Sequence, residues 1–178
     1  FFLQRSVIRE PRSWHHLLLF WGFWVIVVGT IEILANGIVP VFSFRLFGDG
    51  FNAWFKAFFD VVNALVLMII LYAFFRRIVL KPNLVPMSLD AGLILGMIGM
   101  LCLSHFVSHG FHFPVQSGGD AALTATLVGP PGDPSYMPVS ALFGWMAEVL
   151  SIQTAHTIAT GAYWVHVLTI LFFLNYIP

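Results

Sequence analysis

Long apolar runs divided by short polar clusters dominate this chain. From Trp14 to Gly37 the only charge is Glu32, near the far end of the run. Residues 53–75 carry Lys56, Asp60 and Asn63 in their first half and are then apolar as far as Arg76-Arg77. A third run, 89–110, opens on Leu89-Asp90, and the last, 152–178, has no charged residue at all. At about 1.5 Å per helical residue such runs are long enough to cross a hydrocarbon core of about 30 Å. The pattern predicts an all-α polytopic membrane helix bundle with about four transmembrane helices in a single membrane domain over 1–178. The chain opens on Phe1-Phe2-Leu3 and stops at Pro178 directly after an apolar run, so a domain truncated at both ends is expected.

The polar clusters place the connections. Arg5, Arg9, Glu10, Pro11 and Arg12 precede Ser13, a suitable N-cap for the first span. Val39 to Asn52 read as a loop on Pro40, Gly48, Asp49 and Gly50, and Lys81-Pro82 with Pro86 form another connection. Pro114 to Pro138 are rich in Gly, Pro, Asp and Thr and predict a long extramembrane loop. Met137 to Ser151 resume helical periodicity with Glu148 as their only charge, as a lead-in or interfacial segment. Arg5, Arg9, Arg12, Arg76, Arg77 and Lys81 fall on one side and Arg45 and Lys56 on the other, so the first side is expected to be cytoplasmic.

Composition sharpens the class. Hydrophobic residues make up 59% of 178 positions and charged residues 9%, with 19 Phe and 6 Trp, which points to an integral membrane protein. The single cysteine, Cys102, leaves no disulfide framework, no Cys-rich zinc site and no cysteine-ligated iron–sulfur cluster within the chain. A formal net charge of zero with scattered Lys and Arg provides no basic stripe for nucleic acid.

The candidate chemistry is histidine chemistry. His166 lies mid-run among Trp, Val and Leu, with His156 ten residues earlier. An intramembrane imidazole is a functional hypothesis by default, and imidazole is the usual protein ligand of haem iron. On the third span His105, His109 and His112 form a stripe at i, i+4 and i+7, and Gly92, Gly96 and Gly99 offer close approach to a helix or a flat macrocycle. By helical rise His105 sits about 24 Å above the start of its span and His166 roughly 18 Å above Pro178, close to one level. His105 is therefore the best partner for His166 on one iron, with His109 and His156 as second choices. His16, at the cytoplasmic end of the first span, has no histidine at its own level. Glu32, Lys56 and Asp60 lie toward the opposite side. Lys56 and Asp60 either satisfy each other at i, i+4 or serve as a quinone and proton relay.

Several of these segments resemble one domain type. They are His16-Leu-Leu-Leu-Phe-Trp-Gly-Phe23, Arg76-Arg77-Ile-Val-Leu-Lys-Pro82, Asp90-Ala91, and Trp164-Val-His166 followed by Phe-Leu-Asn-Tyr-Ile-Pro178. Together they resemble the nitrate-reductase gamma-like, b-type cytochrome membrane domain of heterodisulfide-reductase-related iron–sulfur oxidoreductases, the electron-transfer-flavoprotein:menaquinone oxidoreductases above all. The resemblance implies haem b, one or two, bound by His16 and His166 with a further ligand beyond Pro178. It also implies iron–sulfur clusters on a cytoplasmic partner or a missing segment, an electron-transfer flavoprotein upstream, and menaquinone or ubiquinone in a bacterial or archaeal cytoplasmic membrane. Nitrate reductase gamma subunits carry a second histidine ten residues after the first, whereas this chain has Ile26, so the outer ligand must come from elsewhere.

The expected function is thus a membrane oxidoreductase component, quinone-linked and not catalytic alone, passing electrons through haem b between an iron–sulfur protein and the quinone pool. The rival is a haem-free membrane anchor, or a proton- or metal-coupled transporter fragment in which the histidines and acids form the path.

Overall fold

A computed structural model describes residues 14–39, 44–80, 88–117 and 137–176. Nearly all of those residues are helical, with no strand among them. Helix α1 spans Trp14–Ile38, α2 Asp49–Phe75, α3 Leu89–Ser117, α4 Pro138–Ala147 and α5 Ile152–Tyr176. A 3₁₀ turn, Phe44–Phe47, leads into α2, and a π-helical turn, Arg76–Leu80, carries it onward. Between that 3₁₀ turn and α2, Gly48 adopts φ 104°, a conformation that side chains with a Cβ resist.

Three helical stretches are long and apolar enough to cross a membrane: Asp49–Leu80, Leu89–His112 and Ile152–Tyr176. On α1 the apolar stretch Leu17–Glu32 lies within a continuous 25-residue helix, Trp14–Ile38, in the place of the expected first span. The burial pattern is that of a bundle in lipid. Trp21, Trp24, Leu65, Met68, Leu71, Trp164 and Leu168 lie exposed, whereas Asn52, Asp60, Asn63, Ser104, His105, Ser140 and His166 are buried. Polar groups turn inward because hydrocarbon offers them no hydrogen bonds. A ladder of rings, Phe44, Phe51, Phe55 and Phe59 with Trp54 stacked on Phe58, decorates the first half of α2.

The core joins Ile26 of α1, Val66 and Ile70 of α2, and Leu95, Ile98, Cys102 and Phe106 of α3. Close helix approach occurs at glycines other than those expected. A Cβ on Gly22 would strike Val66, and one on Gly29 would strike the Phe59 ring, so α1 lies directly on α2. Gly96 has nothing within 4 Å of where its Cβ would be, and Gly99 has only an ordinary contact with Ile70 at 3.6 Å. At Gly96 and Gly99 on α3, then, no neighbour presses in. The helix also runs past Pro114 to Ser117, longer than the expected 89–110, since a proline in the last turns removes one hydrogen bond without ending the helix.

Helix α4 packs its N-terminal end against α3. Its N-terminal residues Met137, Ser140 and Ala141 are buried, and a Cβ on Gly110 of α3 would lie 2.5 Å from both the Ser140 carbonyl and the Phe143 Cβ. Phe143 stacks on Phe106 at 5.5 Å and 12°. A ten-residue helix is therefore wedged among the spans, with Pro138 at its start, where a missing N–H costs nothing.

Candidate functional site

The free N–H groups at the start of α4 need acceptors, and Asp60 of α2 supplies them. Its carboxylate accepts the Val139 N–H at 2.5 Å, the Ser140 N–H at 3.1 and 3.3 Å, and the Ser140 hydroxyl at 2.5 Å. Asp60 is fully buried and lies 11 residues into α2, about 16 Å along the helix. It acts as an N-cap from a distant helix, and its negative charge sits at the positive end of the α4 dipole. Neither the i, i+4 pairing with Lys56 nor its spacing on α2 hinted at this contact.

On the other side of the same carboxylate lies His105 of α3, its Nε2 3.5 Å from Asp60 Oδ1. The ring is buried, packed edge-on against Phe59 at 4.9 Å and beside Phe106 and His109 at 5.5 and 4.6 Å, and neither of its nitrogens has a hydrogen bond. Asn63 satisfies its amide on the Phe59 carbonyl at 2.9 Å. Asn52 is buried with neither its amide nitrogen nor its carbonyl oxygen bonded, a feature that reasoning from spacing passed over.

His166 of α5 is held against α3. Its Nδ1 is 3.1 Å from the Leu101 carbonyl and 2.9 Å from Ser104 Oγ, while the Ser104 hydroxyl donates to the same Leu101 carbonyl at 3.1 Å. A carbonyl only accepts, so Nδ1 carries the proton and Nε2 keeps its lone pair. That Nε2 is buried and has no partner. The level matching expected from helical rise is met, because Ser104, next to His105, is the residue that touches His166. Ser104 itself is a site residue the sequence reading missed, since a lone serine in an apolar run carries no signal.

The other expected residues sit elsewhere. His156 lies exposed near the start of α5 against His112, with ring centres 6.1 Å apart, well away from the His166 level. Glu32 accepts the Phe44 N–H at 3.0 Å and so ties α1 to the 3₁₀ turn before α2. His16 falls in the first turn of α1, and its side chain is outside the described part of the molecule. The proposed N-cap Ser13, the 118–136 part of the expected loop and Pro178 also lie outside it. Ile26 is packed into the core at 1% exposure.

Among the described residues no group of three or more His, Cys, Asp or Glu could hold a metal ion. Haem iron would ask less of the chain, one or two imidazoles, because its macrocycle brings four nitrogen donors of its own. The donor chemistry at His166 fits that demand, with the proton fixed on Nδ1 by backbone and the opposite nitrogen buried and unused.

No family profile matches the chain, and no solved structure does. The chain is 26% identical over 178 residues to a protein of Bacillus subtilis (strain 168) described as probable iron-sulfur-binding oxidoreductase FadF. The similarity covers 99% of this chain and 23% of that protein, so the chain spans about a quarter of its relative's length.

Proposed function

We propose that the chain is a haem b-binding membrane domain of an iron–sulfur oxidoreductase, carrying electrons between an iron–sulfur partner and the menaquinone or ubiquinone pool. The observation that carries the reading is His166, a buried imidazole whose Nδ1–H is anchored on Leu101 and Ser104 and whose Nε2 has no partner. A buried polar atom left unpaired costs on the order of 1–3 kcal/mol, and coordination to haem iron would remove that cost. Likeness to a protein described as iron-sulfur-binding supports electron transfer as the setting.

Haem supplies one-electron exchange through iron held in two oxidation states. The chain's own residues do the rest. Leu101 and Ser104 fix the His166 tautomer, and the anchored N–H raises the basicity of the liganding nitrogen. His105, with both nitrogens unbonded, would be the partner imidazole on α3, with His109 one turn away as the alternative, while Ile26, Cys102 and Phe106 would keep water out. His16 is the proposed ligand at the cytoplasmic level. Lys56, Asp60 and Glu32 line the half in which the quinone headgroup is proposed to exchange its protons. On this reading the iron–sulfur partner docks on the face bearing Arg76 and Arg77, with an electron-transfer flavoprotein upstream, in a bacterial or archaeal cytoplasmic membrane.

The test is haem content. The purified protein should show sharp bis-imidazole bands on reduction, and His166→Ala should lose at least one haem per chain while Ser104→Ala retains it with altered band positions or potential. Unchanged haem content in His166→Ala would refute the assignment, and a colourless native protein would favour the anchor or transporter reading.

A further inference from the structure

Two imidazoles at the far end of the bundle from Asp90 and Tyr176 are left unused by electron transfer. His112 closes the apolar part of α3, and His156 lies four residues into α5; their ring centres are 6.1 Å apart, with planes inclined at 54°. We propose that His112 and His156 form a two-histidine site for a borderline-soft divalent ion of the zinc class, bridging α3 and α5.

Three features support this. The Nδ1 of His112 is 3.0 Å from the Ser108 carbonyl, which fixes the proton there and leaves the Nε2 lone pair available, the arrangement usual in metal-bound histidines. With metal–nitrogen bonds of about 2.0–2.1 Å and a ring centre about 1.1 Å behind the nitrogen, two imidazoles on one ion place their centres roughly 5 to 6.4 Å apart between tetrahedral and linear angles. The observed 6.1 Å lies inside that range toward its open end, and closing to a tetrahedral angle brings the ring centres about 1 Å nearer. His156 is exposed and His112 half-buried, each near one end of its apolar stretch, so the pair is open at the end of the bundle while both ligands ride on formed helices. Neutral imidazoles disfavour Mg²⁺ and Ca²⁺, which demand oxygen ligands. As the described residues contain no third His, Cys, Asp or Glu in range, water completes the coordination and affinity stays modest.

The consequence is mechanical. An ion on His112 and His156 ties the end of α5 to α3, seven residues beyond His105 on one helix and ten before His166 on the other. It thereby restrains the spacing of the two helices that carry those imidazoles. The site needs no haem, so its presence or absence is independent of the electron-transfer reading.

The experiment is a Zn²⁺ titration of the EDTA-stripped full-length protein in detergent, in competition with a chromophoric chelator, alongside thermal melts with and without Zn²⁺. One ion per chain is expected in the native protein, with affinity reduced about tenfold or more in His112→Ala and in His156→Gln, and with no further loss in the double variant. Zn²⁺ should raise the melting temperature of the native protein and of the exposed-neighbour control Gln153→Ala, but not that of either histidine variant. Absence of Zn²⁺ binding by the native protein, or an affinity within about twofold of native in His156→Gln, overturns the site. Haem content measured on the same samples keeps this outcome separate from that of the haem proposal.

Discussion

Asp60→Ala should release α4. The carboxylate is the acceptor for the Val139 N–H, the Ser140 N–H and the Ser140 hydroxyl, and all three donors lie at the buried start of a ten-residue helix. A helix this short is not stable alone, so its occupancy depends on this cap and on the packing of Ser140, Phe143 and Gly144 against Gly110 and Phe106. Each buried donor left without an acceptor costs on the order of 1–3 kcal/mol, and such costs add incompletely because water follows the vacated carboxylate. Taking about 3 kcal/mol for the three together, opening of α4 becomes roughly a hundredfold more frequent. Asp60→Asn keeps one acceptor oxygen but loses the charge and turns an amide N–H₂ toward Ser140 or His105, for about 1.5 kcal/mol and roughly tenfold. Hydrogen exchange with mass spectrometry on peptides spanning 137–147, in nanodiscs, reads both. Exchange in Asp60→Ala within about threefold of native would show that packing alone seats α4 and would refute the capping argument. The same variant bears on quinone turnover, which Asp60→Asn is expected to slow with the haem spectrum intact. Ser140→Ala, which loosens α4 but keeps the titratable carboxylate, separates the two effects: slowed turnover in Asp60→Asn but not in Ser140→Ala assigns the loss to the proton.

Three further outcomes are expected. Cys102, fully buried in the α1–α2–α3 core, should resist maleimide in the folded protein and react only after denaturation, as measured by mass shift. Phe106→Ala, which deletes a ring buried to 1% exposure between His105 and Phe143, should cost about 3–5 kcal/mol in unfolding and broaden the environment of His105; a melting temperature equal to native would contradict the packing described. A cysteine at Asn83 should be labelled only from the cytoplasmic side and one at Gly119 only from the opposite side, and the reverse pattern would invert the topology.

Most of the helices were readable from the chain itself, because a span needs little more than length and uninterrupted hydrophobicity, and α2, α3 and α5 provide both without reference to anything else. Level is equally local: a fixed rise per residue is enough to bring His105 and His166 to the same height. What the sequence could not decide was azimuth and contact. Glycine is silent about its neighbour, so close approaches fell at Gly22, Gly29 and Gly110, and not at Gly96 or Gly99. Asp60 reads as a partner for Lys56 one turn away, and only the insertion of α4 from 79 residues further along gives its carboxylate a helix N-terminus to cap. His156 reads as a neighbour of His166 on one helix, yet the two are separated by ten residues of rise, and packing delivers His156 to His112. A hydrogen bond between Ser104 and His166 joins residues 62 positions apart, and no periodicity encodes which face of α5 meets which face of α3. In a membrane bundle that choice rests on van der Waals fit and on satisfying the few buried polar groups, and both exist only once the helices have met.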